Sequence, residues 1–128
     1  MRLLLDTHAL IWAVDEPTRL SAVAKSHLED PGNDLLVSAA TIWELAIKVS
    51  LGKLTLTQPF EPWMSTALRD LSATVLAITV PHAAAQVALP WHHRDPFDRL
   101  LVAQAQSEVV PLVSIDPQFD AYGITRVW

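Results

Sequence analysis

The chain has 128 residues, 51% of them hydrophobic and 18% charged, with a net charge of −5 and no cysteine. That length suits one domain spanning residues 1–128 with a core of its own, and the acidic balance excludes a basic nucleic-acid coat protein while leaving room for an enzyme that acts on nucleic acid through a local site. Without cysteine there is no disulfide framework and no thiolate metal site, which fits a cytoplasmic protein.

In chain order, "MRLLL" (1–5) is continuously apolar after Arg2, as suits a parallel strand covered on both faces. Asp6 and His8 interrupt it too early for a signal peptide. Residues 7–14 read as a helix. "SAVAKSHLED" (21–30) is another, capped by Ser21 and stopped at Pro31-Gly32. "DLLVS" (34–38) is a second buried strand, and residues 39–53 form a helix with Gly52 as its C-terminal stop. Residues 56–73 are a proline-punctuated entry into a helix. A strand at 74–79, a helix at 81–90 and the loop "WHHRDP" follow. Pro96 opens a helix to Glu108, "VPLVSI" (110–115) is a strand, "PQFDAYG" a short turn or helix, and "ITRVW" a last strand. No apolar run reaches the ~18 residues of a membrane span. Alternating strands and helices predict an α/β fold, a three-layer α/β/α sandwich around a mostly parallel sheet. Ordinary domains carry about 25% charged residues, so the apolar surplus predicts a covered surface, most simply in a homodimer.

Ligands of open parallel sheets bind outside the carboxyl ends of the strands. Asp6 ends the first strand there and Asp116 ends "LVSI". Glu44 lies at the second turn of the helix after "DLLVS", among apolar neighbours, and Asp98 lies in the first turn of "PFDRLLVAQA". Each also has a purely structural explanation. Asp6 and Asp116 can cap the elements that follow them, Asp98 suits a helix start, Asp95 before Pro96 is a cap, and Glu44 can pair with Lys48 at i,i+4. Jointly, crowded carboxylates repel, and a divalent cation relieves the repulsion. Hard oxygen donors select Mg²⁺ or Mn²⁺ over zinc. With three glycines and no phosphate-binding loop, a phosphodiester is a better substrate than a nucleoside triphosphate.

"LLLDTHALIWA", "SAATIWELAIK", "DPFDRLLVAQA" and "PLVSIDPQFDAYG" resemble the motifs of PIN-domain ribonucleases, most closely the VapC toxins of type II toxin–antitoxin systems. The resemblance runs over nearly the whole chain in the family's order. It implies a Mg²⁺- or Mn²⁺-dependent endoribonuclease with Asp6, Glu44, Asp98 and Asp116 as its acidic quartet and metal ligands, and Thr7 as the hydroxyl that supports them. It also implies a homodimer, an RNA substrate and a VapB-type antitoxin that blocks the site. Gln118 stands where many relatives carry a further acid. Trp12, Trp43, Trp63 and Phe60 are candidates for an antitoxin groove as well as for core.

RNA binding calls for cations, and Arg94, Arg99, Lys48 and Lys53 are the nearest in sequence to the acids. His92 and His93 are candidates for RNA contact or proton transfer, with a solvated loop the simpler expectation. Two other functions compete. A receiver-type signalling domain wants adjacent acids after the first strand and a lysine after the last, and this chain offers "DTH" and no such lysine. A PIN-like module that binds RNA or antitoxin without cutting keeps the fold but has no need of an intact quartet.

Overall fold

The computed structural model describes residues 1–128. Strands β1 (Arg2–Leu5), β2 (Asp34–Ser38), β3 (Thr74–Leu76), β4 (Leu112–Val113) and β5 (Arg126–Val127) form one sheet in the order β3-β2-β1-β4-β5. Every neighbouring pair is parallel. The helices are α1 (Thr7–Asp15), α2 (Ala22–Glu29), α3 (Ala39–Ser50), α4 (Phe60–Asp70), α5 (Val80–Val87) and α6 (Pro96–Glu108), with 3-10 turns at Pro17–Arg19 and Pro117–Tyr122. No helix is long and apolar enough to cross a membrane.

The period of two along a strand sorts the leucines between two cores. Leu3 and Leu5 of β1, with Leu35 and Val37 of β2, pack against Leu10 of α1, Leu28 of α2, Leu45 of α3 and Trp63 of α4. Leu4 and Leu36 face the other way, onto Leu101 and Val102 of α6 and Phe119. Helices therefore cover both faces, which is why β1 and β2 are continuously apolar rather than alternating. Each wholly buried leucine contributes roughly 1.5–3 kcal/mol. Strand order reverses direction at β1, whose neighbours are β2 and β4. The crevice at the carboxyl ends of β1 and β4 is thus the switch point where such sheets bind ligands.

Three strands are shorter than their sequence suggests, β5 keeping only Arg126–Val127 of "ITRVW". β3 stops at Leu76, because Thr79 leaves the sheet to cap α5: its hydroxyl accepts from the His82 N–H, while the His82 ring accepts from the Thr79 N–H. β4 begins only at Leu112, because the Val110 N–H still closes onto Ala105 of α6.

Arg99 corrects an expectation. Placed by sequence among the cations near RNA, it is 1% exposed. Its Nη1 donates to the Pro90 carbonyl at 2.9 Å, and its Nη2 to those of Gln86 and Leu89, both at 3.2 Å. The guanidinium thereby ties the end of α5 and the loop after it to α6, satisfying the Leu89 and Pro90 carbonyls and adding a second donor to that of Gln86, which already accepts the Leu89 N–H. A planar fork spreads its donors over two terminal nitrogens, which suits carbonyls on three residues better than a single ammonium does. Arg99→Met should lower unfolding stability by about 3 kcal/mol, because it orphans buried carbonyls, and Arg99→Lys should recover only part of that. Urea denaturation midpoints measure both, and unchanged midpoints would show that the fork does not hold the loop.

Candidate active site

Four acids from distant parts of the chain reach the rim at the switch point. Asp6 follows β1 directly, and its N–H donates to the Val113 carbonyl of β4 at 3.1 Å, which fixes it between the two strands. Its Oδ1 accepts from the Ala9 N–H at 2.8 Å, capping α1. The side chain is buried, and burial pushes its carboxyl above the ordinary 3.8; the Ser114 hydroxyl, the Ala9 N–H and His8 pull against that rise, and the Asp116 charge adds to it.

Glu44 is buried on α3. Its Oε1 accepts from the Thr7 hydroxyl at 2.6 Å and its Oε2 from Lys48 Nζ at 2.7 Å. The i,i+4 pair and the bond from Thr7 coexist, one on each oxygen. Asp98 sits half-buried in the first turn of α6, and its carboxyl is raised to about 6. Burial is the main cause and the charge of Asp95 the next, with Glu44 and Asp6 adding to the rise and His93 opposing it. Asp95 itself is the cap of α6, accepting from the N–H groups of Phe97 at 2.8 Å and Asp98 at 3.2 Å.

Asp116 is half-buried beyond β4. Its Oδ1 accepts from the Gln118 N–H and its Oδ2 meets His93 Nε2, both at 2.9 Å. His93 Nδ1 lies 3.0 Å from the Tyr122 hydroxyl, and the imidazole stacks on Phe119 with centroids 4.5 Å apart. Every one of these contacts is satisfied when the Tyr122 hydroxyl donates to Nδ1 and Nε2–H donates to Asp116. His93 is therefore neither a solvated loop residue nor an exposed RNA contact, because its ring is packed and both nitrogens are engaged.

The four acids share one rim and feel one another: Asp116 acts on Asp6, and Glu44 and Asp6 act on Asp98. They do not converge as a ready coordination group, since no three Asp, Glu or His side chains stand close enough to hold one ion. Glu44 is turned to Thr7 and Lys48, and Asp116 to His93 and Gln118. The donor set nonetheless fits a hard divalent ion. It is all oxygen, and Asp6 and Asp98 are in no ion pair.

Of the remaining cations, Arg94 is exposed on the loop before Asp95, Lys48 is spent on Glu44, and Lys53 is exposed. Asp120 is paired with Arg126 at 2.9 Å and stands outside the cluster. The four aromatic groove candidates separate. Trp63 is buried with its Nε1 donating to Asp15, Phe60 packs against the same core, Trp12 is half-buried beside Trp128, and Trp43 is 66% exposed. Sequence reasoning passed over Ser114 and Tyr122. The serine's only signal was its place two residues before Asp116, where its hydroxyl accepts the Asp116 N–H at 3.0 Å.

The sequence profile of the PIN domain matches residues 3–124. Ribonuclease VapC22 of Mycobacterium tuberculosis is 34% identical, over 98% of this chain and 97% of its own length. Among solved structures, VapBC2 from Rickettsia felis bound to a DNA fragment from its promoter aligns with a TM-score of 0.74 at 18% identity, over 98% of this chain and 97% of that one. VapBC-1 from nontypeable Haemophilus influenzae aligns with a TM-score of 0.69 at 18% identity, over 98% and 96%. At such identities the structural likeness establishes the fold.

The raised carboxyls set a pH dependence. Asp98 titrates at about 6 in the folded chain against an ordinary 3.8, so between those values the native state binds the extra proton. Its contribution to stability is complete below about pH 4 and is lost as pH rises through about 6, with Asp6 acting in the same direction. Metal-free protein should therefore melt at lower temperature at pH 7 than at pH 5, and Asp98→Asn should flatten that slope. Thermal melts of both proteins across this range provide the check, and a wild-type slope of opposite sign would show that the acids are not strained by their neighbours.

Proposed function

The chain belongs to the PIN-domain family, and from that premise we propose that it is a VapC-type toxin, an endoribonuclease that hydrolyses RNA phosphodiesters with Mg²⁺ or Mn²⁺ held by Asp6, Glu44, Asp98 and Asp116. The observation that carries this reading is the gathering of acids from four separate chain segments at one switch point, where burial first, Asp95 next, and then Glu44 and Asp6 raise the Asp98 carboxyl to about 6. The 34% identity to a ribonuclease over 98% of the chain supports the same activity.

When bound, the ion supplies Lewis acidity toward the phosphodiester and makes water a better nucleophile near neutral pH. The chain's own groups prepare the place. Thr7 holds Glu44 Oε1, so that one carboxylate oxygen has a fixed direction, while Lys48 balances the other. The Tyr122–His93 pair orients Asp116 through Oδ2. Asp98 holds its proton until the pH nears 6, and releases it more readily when a cation arrives. A carboxylate whose partners are fixed loses little freedom on ligation, which is how outer groups raise metal affinity.

A VapB-type antitoxin is the proposed partner, in keeping with the VapBC names of the structural relatives. An acidic rim accepts a guanidinium from such a partner when no metal is present. A homodimer is proposed on the apolar side chains left in solvent, Trp43 on α3 and Val80 and Val87 on α5 among them. An RNA substrate and an antitoxin partner make the cytoplasm the proposed location.

Asp6→Asn should retain the fold and reduce Mg²⁺-dependent RNA cleavage by about 100-fold or more, and chelation of divalent ions should reduce wild-type cleavage to the same floor. Thr7→Val should cost about 10–100-fold in activity and weaken Mn²⁺ binding, because Glu44 loses its orienting hydroxyl. Mapping of RNA ends and Mn²⁺ titration read the two effects. Cleavage that survives both Asp6→Asn and chelation would refute a metal-dependent nuclease at this site.

A further inference from the structure

In the loop from Trp91 to Arg94 one side chain alone turns inward. His93 is buried against Asp116, while Trp91 and Arg94 face solvent. Trp91 is 73% exposed, an unusual fate for the largest apolar side chain. It is nevertheless held, because the Arg99 guanidinium lies over its ring with Cζ 3.7 Å from the centroid. Arg99 is itself fixed by the carbonyls of Gln86, Leu89 and Pro90. The indole is thus clamped on one face by an immobile cation and left bare on the other. Arg94, three residues further on, is in no ion pair or side-chain hydrogen bond.

A flat aromatic surface backed by a cation, beside a free arginine and leading directly into Asp95 and Asp98, has the chemistry of a single-stranded RNA contact. Base–aromatic stacking contributes on the order of 1–3 kcal/mol per base and tolerates any sequence. A prefixed ring loses little freedom when a base settles on it. The positive charge behind the ring and at Arg94 complements the phosphates that accompany a base, and does nothing for an apolar protein side chain. Resting on the ribonuclease proposal, we propose that the bare face of Trp91 is a stacking platform for one unpaired nucleobase of the RNA, with Arg94 meeting a neighbouring phosphate. Arg99 then acts on RNA through Trp91, without touching it.

The test compares Trp91→Phe with Trp91→Leu in the full chain. Both side chains cover Arg99, and only phenylalanine offers a stacking plane. Binding of a labelled, mixed-sequence single-stranded RNA of about 12 nucleotides is followed by fluorescence anisotropy in the Asp6→Asn background, where cleavage is silenced. Trp91→Leu should weaken binding about tenfold and Trp91→Phe by no more than about twofold. The same RNA annealed to its complement should show no dependence on residue 91. In cleavage assays the Leu variant's loss should lie in KM more than in kcat. Arg94→Ala should reduce the salt dependence of binding by about one ion.

Equal RNA affinity for Trp91, Phe and Leu proteins would overturn the platform while leaving the nuclease proposal intact if wild type still cleaves. RNA bound through Trp91 but never cut would sustain the platform and sink the nuclease. A Leu variant that loses self-association in sedimentation but keeps its RNA affinity would assign Trp91 to a second copy of the chain and overturn the proposal.

Discussion

Like charges placed together at the ends of parallel strands repel, and in a partly buried rim water does little to screen them. The four acids meet this constraint in four different ways. Glu44 is balanced by Lys48 and the Thr7 hydroxyl. Asp116 is held by His93 and a backbone N–H. Asp6 is in no ion pair and leans on the N-terminus of α1 and on Ser114, with His8 acting on it more weakly. Asp98 is in no ion pair either, His93 only partly opposes its neighbours, and its proton remains to about pH 6. The unbalanced charge therefore gathers at Asp6 and Asp98, and a divalent cation would relieve both. Glu44 and Asp116 stay oriented even without one.

The fold creates this constraint and also limits it. A parallel sheet covered on both faces sends every strand's carboxyl end to one rim, and the reversal of strand order at β1 opens a crevice there. Asp6 and Asp116 cap the elements that follow their strands, so truncating either side chain would also loosen a turn. Capping and site chemistry are not competing explanations for these residues. A carboxylate that satisfies a helix N-terminus with one lone pair still presents others to the crevice. Glu44 shows the same economy: the i,i+4 pair with Lys48 occupies one oxygen while Thr7 directs the other.

This double use explains what could be seen in the sequence. β1 and β2 were legible because burial on both faces leaves an uninterrupted apolar run, and Asp6 was legible because it breaks such a run at the strand's end. Pro96 and Asp95 marked the start of α6, and hence the position of Asp98. β3 and β4 were overestimated, since the residues after Leu76 and before Leu112 are apolar but belong to the Thr79 cap and to the close of α6. Arg99 and His93 were misjudged for one physical reason. Their partners are backbone carbonyls at the end of α5 and in the loop after it in one case, and Asp116, Tyr122 and Phe119 in the other. Hydropathy reads a charged or polar side chain as solvent-seeking, and nothing in the local pattern announces carbonyls left unpaired elsewhere.

The loop between α5 and α6 then accounts for a tension in the charge of the molecule. A chain of net charge −5 has little long-range attraction for RNA. Adding surface cations near the rim would compete with any ion for the same carboxylates, as Lys48 already does at Glu44. Stacking avoids that competition, because it gains affinity from contact area and needs charge only behind the ring. Burying the guanidinium of Arg99 beneath Trp91 keeps a cation close to the proposed RNA path and away from Asp98, which lies next to it in sequence. The same bonds that close the loop against α6 keep that guanidinium in place. In this arrangement the proposed substrate contact and the stability of the loop depend on one side chain, and the acidic rim is left free for the proposed ion.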